Sequence, residues 1–331
     1  LCLGTMTFGG KGFWKAIGQT PQDEANSILK EALDAGINFI DTANVYSEGL
    51  AETILGQALR DLGIDRQEVF IATKVLIRMG PGVNQVGLSR LHIENSVNDS
   101  LQRLGLDTID LLYIHGVDPV TSLEETMEGL ESVIRAGKVR YLGVSNHPAW
   151  SVMKAQAIAG RKGSNRFIAG QYYYSLAGRD VEREIIPLAR DQNIGIMPWS
   201  PLAGGFLSGK FSRQNPKAGN SRRDDFDFPP LDREKTYDII EVLLKIAENH
   251  EVSGAQIALA WLLQKPAVTS VIIGAKNQDQ LQDNIASTNL QLSDEEIQAL
   301  DEISALPEHY PQWMIDRQAE KRRPGSGFRI S

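Results

Sequence analysis

The feature that most constrains this chain is a repeated alternation. A short run of β-forming residues is followed by a longer amphipathic stretch, about eight times over 331 residues. After Leu1-Cys2-Leu3-Gly4, an apolar run that reads as a strand with a few residues missing before it, a helix is predicted over Asp23–Ala35. It carries Ala25, Ile28, Leu29, Ala32 and Leu33 at helical spacing, and Gly36 stops it. The pattern predicts strands at Asn38–Asp41, Val69–Lys74, Ile109–His115, Tyr141–Ser145, Phe167–Tyr172, Ile194–Pro198 and Ser270–Ile273. Between and after them it predicts helices at Glu52–Leu62, Leu91–Leu104, Leu123–Ala136, Ala149–Ala159, Val181–Gln192, Arg233–Asn249, Ala255–Leu263, Gln278–Ala286 and Asp294–Ala305. Such regular alternation points to an α/β chain closed as a (β/α)8 TIM barrel. An open doubly wound sheet is the rival, but Gly9-Gly10-Lys11-Gly12 has the wrong spacing for its phosphate fingerprint and no strong helix behind it. No linker divides residues 1–331, so one barrel unit is expected. Residues 205–230 read as a long loop over the barrel mouth, and 306–331 as a C-terminal surface tail.

Bulk properties narrow the function. A net charge of −8 argues against a nucleic-acid partner, which needs clustered Lys and Arg. The single cysteine, Cys2, permits no internal disulfide, and neither a signal core nor an apolar stretch near 20 residues is present. A cytoplasmic protein with no membrane partner is therefore expected, with a monomer as the default.

Asp41, Tyr46, Lys74 and His115 lie at or just beyond predicted strand ends, which converge on one face of a parallel barrel. Together they make a proton-delivery device. A carbonyl accepting hydride needs a proton donor. A phenol near pKa 10 is a reluctant acid, and a neighbouring ammonium favours its ionised form. Lys74 can act so on Tyr46 with Asp41 holding it, while His115 orients the carbonyl oxygen. Each residue has a blander reading. Asp41 can cap a helix, Lys74 can be solvated, and Tyr46 and His115 can be satisfied packing residues. Four such coincidences at one face are much less expected than one site.

A second group suits a cofactor. Ser145, Asn146 and Gln171 can serve both sides of a carboxamide. Trp199 offers a flat face, and the run Ser200-Pro201-Leu202-Ala203-Gly204-Gly205-Phe206-Leu207-Ser208-Gly209-Lys210 brings backbone N–H groups and a cation near phosphate oxygens. Gly274-Ala275-Lys276 leads into the helix over Gln278–Ala286, a place for a terminal phosphate. Taken alone, the segment from Trp199 could equally be a turn with a packed aromatic.

In these motifs the chain resembles the aldo-keto reductases, in the bacterial and potassium-channel-β-subunit-like branch. The resemblance rests on Gly4-Thr5-Met6-Thr7-Phe8-Gly9, Asp41-Thr42-Ala43-Asn44-Val45-Tyr46, Ala72-Thr73-Lys74, Ile114-His115, Gly143-Val144-Ser145-Asn146, Gln171-Tyr172, Trp199-Ser200-Pro201-Leu202 and Ile273-Gly274-Ala275-Lys276. It implies NADP(H)-dependent hydride transfer to an aldehyde or ketone, or the reverse oxidation, with Tyr46 as acid/base, Asp41 and Lys74 tuning it and His115 orienting substrate. It implies that Ser145, Asn146 and Gln171 bind the carboxamide, with Trp199 stacked on the nicotinamide and Thr5 and Met6 as its floor. Ser200, Pro201, Leu202, Gly204, Leu207 and Lys210 would hold the pyrophosphate. Gly274 and Lys276 would meet the 2′-phosphate, and Gln280 and Asn284 the adenine end. Trp199 replaces the tyrosine of many members, Gln280 replaces an arginine, and the N-terminal hairpin is shortened. The partner is a small carbonyl or alcohol, and no metal is called for.

Two other readings share some of these residues. A non-catalytic NADPH-binding interaction subunit would keep every motif, and a Schiff-base enzyme would use Lys74 as nucleophile. Trp14, Tyr46, Trp150, Tyr172, Tyr173, Tyr310 and Trp313 are the aromatic candidates for a pocket wall, Trp14 first because it follows the first strand's loop, and His115 joins Trp14 and Tyr46 at the substrate.

Overall fold

A computed structural model of the chain describes residues 1–217, 219, 223 and 226–320. Its strands are β1 (Cys2–Gly4), β2 (Phe39–Asp41), β3 (Phe70–Val75), β4 (Ile109–Ile114), β5 (Val139–Ser145), β6 (Phe167–Tyr173), β7 (Gly195–Trp199) and β8 (Ile272–Ile273). All pair in parallel in the order β7-β6-β5-β4-β3-β2-β1-β8. Just before β8, Val268 bridges Ile196 in parallel and the Thr269 N–H donates to the Ile196 carbonyl at 2.9 Å. That contact joins the two ends of the sheet and makes a (β/α)8 barrel.

Helices α1 (Gln22–Asp34), α2 (Leu50–Asp61), α3 (Arg90–Leu104), α4 (Leu123–Arg135), α5 (Ala149–Lys162) and α6 (Ile185–Gln192) each follow one strand. Then α7 (Arg233–Asn249) and α8 (Gly254–Leu263) follow β7, and α9 (Gln278–Ala286), α10 (Asp294–Ile303) and α11 (Gln312–Glu320) follow β8. Ser89, Ser122, Asp232, Ser253, Asn277 and Ser293 accept the first free N–H groups of α3, α4, α7, α8, α9 and α10. Such a cap is worth about 1 kcal/mol and sets where a helix starts.

The two-residue period of the strands sorts the core. Ala72, Leu111, Tyr113 and Ala169 meet Phe39 and Phe70 inside the bore, and Cys2, Met197 and Ile272 meet Phe39 and Trp199 there. Their strand neighbours Leu3, Ile40, Ile71, Leu112, Val144 and Ile196 pack outward in the larger core that also holds the helix residues Ile28, Leu29, Leu55 and Ile93. Gly143 pairs with Tyr113 across β5 and β4, where an added Cβ would stand 2.3 Å from the Tyr113 ring. Only glycine leaves room for that ring beneath the barrel mouth.

Four expectations change. The helix expected over Val181–Gln192 is a 3₁₀ turn at Asp180–Glu182 followed by α6, because Pro187 suits only the first turn of a helix. The last strand contracts to Ile272–Ile273, although the Val271 carbonyl just before it still accepts from the Cys2 N–H of β1 at 2.9 Å; the contact with β7 lies earlier, at Val268 and Thr269. The loop expected over residues 205–230 opens inside a 3₁₀ segment, Ala203–Ser208, and its residues 218, 220–222, 224 and 225 lie outside the described set. The tail expected over 306–331 contains α11, and residues 321–331 lie outside the described set.

Candidate active site

Asp41 ends β2, Lys74 lies near the end of β3, and His115 directly follows β4. Tyr46 is not at a strand end. It starts a 3₁₀ turn, Tyr46–Gly49, that folds back over the end of β2, so three strand ends and one turn supply the four groups. The period of the strands explains the aim of the side chains. Lys74 points into the bore, whereas Thr73 points outward and donates to Glu52 Oε1 on α2 at 2.5 Å. The other Glu52 oxygen accepts from Arg103 Nε on α3 at 2.7 Å, so a buried polar bracket braces β3 next to Lys74.

The Lys74 ammonium donates to Asp41 Oδ2 at 2.5 Å, to the Thr42 carbonyl at 2.8 Å and to the Tyr46 hydroxyl at 3.4 Å. Its side chain is 0% exposed and that of Asp41 4%. All three of its N–H groups are engaged, which argues against Lys74 as a free amine nucleophile. Burial alone would pull the ammonium down, but Asp41 and then Tyr46 hold its pKa above the ordinary lysine value. The Tyr46 ring lies edge-on to Trp14 (5.1 Å between centroids, 61°) and to His115 (6.0 Å, 78°). Burial and then the Lys74 charge lower His115 to about 3, so its imidazole is neutral at ordinary pH. Its Nδ1 has no hydrogen-bond partner among the described residues.

The residues expected at a carboxamide are tied to the protein. Ser145 Oγ donates to the Gln171 carbonyl at 2.8 Å, and Gln171 Nε2 donates to Asp41 Oδ1 at 2.9 Å. Asn146, in a left-handed conformation (φ 55°), donates from Nδ2 to the His115 carbonyl at 2.9 Å and accepts from Trp199 Nε1 at 3.1 Å. Trp199 is not bare. Phe228 stacks on it at 5.7 Å and 5°, and the Tyr173 ring lies 5.1 Å away, tilted by 35°. Thr5, fully buried, ties β1 to β2 through the Asp41 carbonyl, and Met6 beside it is half-buried.

The segment after β7 has the geometry of an anion cradle. Ser200, Ala203, Gly204 and Gly205 all take positive φ (51°, 50°, 68° and 94°). Nothing lies within 4 Å of where a Cβ on Gly205 or on Gly274 would sit, so open space adjoins both backbones. Half-buried Leu202 and exposed Lys210 flank this space, while Pro201 is buried. Leu207 departs from expectation. Its side chain is in the core and its N–H donates to the Leu202 carbonyl at 3.2 Å, so it presents no donor to a ligand. Lys276 is exposed just before α9, its N–H held by Gln280 Oε1 at 3.0 Å. Asn284 is buried and donates to the Gly274 carbonyl at 3.4 Å. Positive φ, open space and two exposed cations fit the phosphates of a dinucleotide. For a nicotinamide ring to use the Trp199 face now held by Phe228, that ring must move.

Sequence reasoning found Trp14, Tyr46 and Trp199 but not the phenylalanines that join them, Phe13, Phe226 and Phe228. Phe13 meets Trp14 (5.9 Å) and Phe226 (5.1 Å), Phe226 meets Phe228 (5.5 Å), and Phe228 meets Trp199. A run from Tyr46 through Trp14 to Trp199 therefore borders the mouth. Of the other aromatic candidates, Trp313 lines a separate cleft of about 560 Å³ with Arg183 and His309, Tyr310 packs on Trp313, and Trp150 is exposed on α5. Among the described residues no cluster of His, Cys, Asp or Glu could hold a metal ion, and no helix is long and apolar enough to cross a membrane.

Comparison with known proteins gives the family. Residues 1–305 match the model of the Aldo/keto reductase family. The chain is 38% identical over 312 residues to an uncharacterized oxidoreductase of Bacillus subtilis, covering 92% of this chain and 91% of that one. It is 37% identical over 319 residues to a putative aryl-alcohol dehydrogenase of Schizosaccharomyces pombe (90% and 97%). It is 38% identical over 285 residues to a probable voltage-gated potassium channel subunit beta of Oryza sativa (84% and 86%). With a family match over nearly its whole length and relatives of this identity and coverage, the chain belongs to the aldo/keto reductase family of oxidoreductases.

Proposed function

We propose that this protein reduces aldehydes or ketones to alcohols with NADPH, or runs the reverse oxidation with NADP+, using Tyr46 as general acid/base. The observation that carries the reading is the Lys74 ammonium, buried and shared between Asp41 and the Tyr46 hydroxyl. When bound, the cofactor supplies or accepts a hydride. Tyr46 then donates its proton to the oxygen on which negative charge develops, and the nearby Lys74 charge stabilises the phenolate left behind. Asp41 keeps Lys74 in place with its N–H groups fully engaged. Neutral His115, whose ring lies beside that of Tyr46, would offer a hydrogen bond to the same carbonyl oxygen. In oxidation the proton runs the other way, from the alcohol to the Tyr46 phenolate. The turn from Ser200 to Lys210 would hold the pyrophosphate and Lys276 the 2′-phosphate, which favours NADP(H) over NAD(H).

The aromatic rim supports aryl or other flat, apolar carbonyl compounds as substrates, in keeping with the relative named as a putative aryl-alcohol dehydrogenase. The test is the loss of NADPH absorbance with a panel of aldehydes, aromatic and short-chain aliphatic. Turnover is expected, fastest with the aromatic members; no turnover and no NADPH binding would sink the proposal. The relative named as a channel subunit supports a second reading, a cofactor-binding interaction subunit. Tight NADPH binding with negligible turnover on every carbonyl would favour it.

A further inference from the structure

Gln171 does something in this structure that binding a carboxamide does not require. Its Nε2 reaches Asp41 Oδ1 at 2.9 Å, while Lys74 holds Asp41 Oδ2 at 2.5 Å. Asp41 lies on β2 and Gln171 on β6, four places apart in an eight-stranded order. The hydrogen bond therefore crosses the bore from one side of the barrel to the other. Both residues are 3% exposed. Gln171 is itself fixed, since its carbonyl accepts from Ser145 Oγ at 2.8 Å and its strand pairs on both sides, with Ser145 and Met197.

We propose that Gln171 is a positioning residue: it fixes the Asp41 carboxylate and thereby sets how readily Tyr46 releases its proton. This rests on the reading of Tyr46 as the acid/base group.

The surroundings of the pair make a single amide matter. The ionisable groups facing it are Cys2 on β1, Lys74 on β3, Tyr113 on β4, His115 after β4 and Tyr46 on its turn. Burial and then Asp41 raise the Cys2 thiol and the Tyr113 phenol, and burial and then Lys74 lower His115, so all three stay uncharged at ordinary pH. Asp41 and Lys74 form the buried ion pair at the centre of this group. In so dry a place a hydrogen bond to a carboxylate acts over the whole cluster. The positive end of the Gln171 amide draws charge from Asp41. Without it, Asp41 counters the Lys74 ammonium more fully and is freer to rotate with it. Both effects make the Tyr46 phenolate harder to form, so both move its ionisation to higher pH.

Two variants test this. Gln171→Met keeps the length of the side chain without a donor, and Gln171→Asn keeps the amide but cannot span the bore. The readout is tyrosinate absorbance of the cofactor-free protein against pH, after subtracting the Tyr46→Phe form in each background. In both variants the Tyr46 midpoint should rise by about 0.5–1 pH unit. The Tyr46-controlled limb of kcat for alcohol oxidation should rise with it. An unmoved midpoint accompanied only by weaker NADPH binding overturns the proposal, because Gln171 would then be a cofactor contact alone. In the wild-type protein the Gln171 side-chain amide resonances should shift through the same titration. A flat response overturns the proposal even where a variant does not fold. Absence of turnover in the wild type would sink the reductase reading separately, since the absorbance titration needs none.

Discussion

At the residue scale the site depends on one ammonium and the groups that share it. Tyr46→Phe removes the hydroxyl proposed as the proton donor but leaves the ring against Trp14 and His115. Reduction should fall by about 10²–10⁴-fold while NADPH affinity, followed by fluorescence, stays nearly intact; equal loss of both would mark Tyr46 as structural. His115 makes a different prediction. Its folded value is about 3 against about 6.5 unfolded, so the unfolded chain takes up that proton first as pH falls. The stability gained by keeping it neutral is complete above about pH 6.5 and is lost on acidification toward pH 3. In urea unfolding, the gap between wild type and His115→Asn should shrink from about pH 7 to about pH 4. A gap that does not change with pH would mean the ring ionises freely in the folded protein. Asp41, Tyr46, Lys74 and His115 could be picked out in the sequence because each follows a β-type run or its loop. The engagement of Asp41 by Gln171 could not, since the two are 130 positions apart and on opposite strands.

At the scale of elements, strand alternation and close approach shape the mouth. Gly143→Ala would force a methyl group to 2.3 Å from the Tyr113 ring. It should cost about 1–3 kcal/mol in urea unfolding, and the cost should shrink in a Tyr113→Leu background. An undiminished cost there would place the strain elsewhere. On the segment after β7, Phe228 lies flat on Trp199. If a nicotinamide uses that face, Phe228→Ala bares it in advance. NADPH affinity, read from tryptophan quenching, should then tighten by about 2–10-fold, the worth of one aromatic pair. Weaker binding would instead make Phe228 part of the cofactor site. Helix and strand positions were largely legible, because hydrophobic spacing and stops such as Gly36 act locally. The short β8 and the split before α6 were not, because pairing with the equally short β1 and the place of Pro187 within a turn decided them.

At the scale of the whole molecule, closure by the contact between β7 and the residues before β8 puts the turn from Ser200 and the loop at Lys276 on neighbouring edges of one mouth. A dinucleotide lying across both would meet Lys276 only if it carries a 2′-phosphate. Lys276→Gln should therefore weaken NADPH by about tenfold or more and leave NADH unchanged in equilibrium titrations. Equal loss for both cofactors would remove Lys276 from the phosphate site. By itself the sequence determined the fold class and pointed to the four residues proposed to react, because hydrophobic period, glycine stops and strand-end chemistry are local and survive reading in one dimension. The tertiary structure alone decided that Lys74 spends all three of its N–H groups, that Gln171 spans the bore to Asp41, and that an aromatic rim from Tyr46 to Trp199 borders the opening. Those are relations between groups far apart in the chain, and only closing the barrel brings them within a few ångströms of one another.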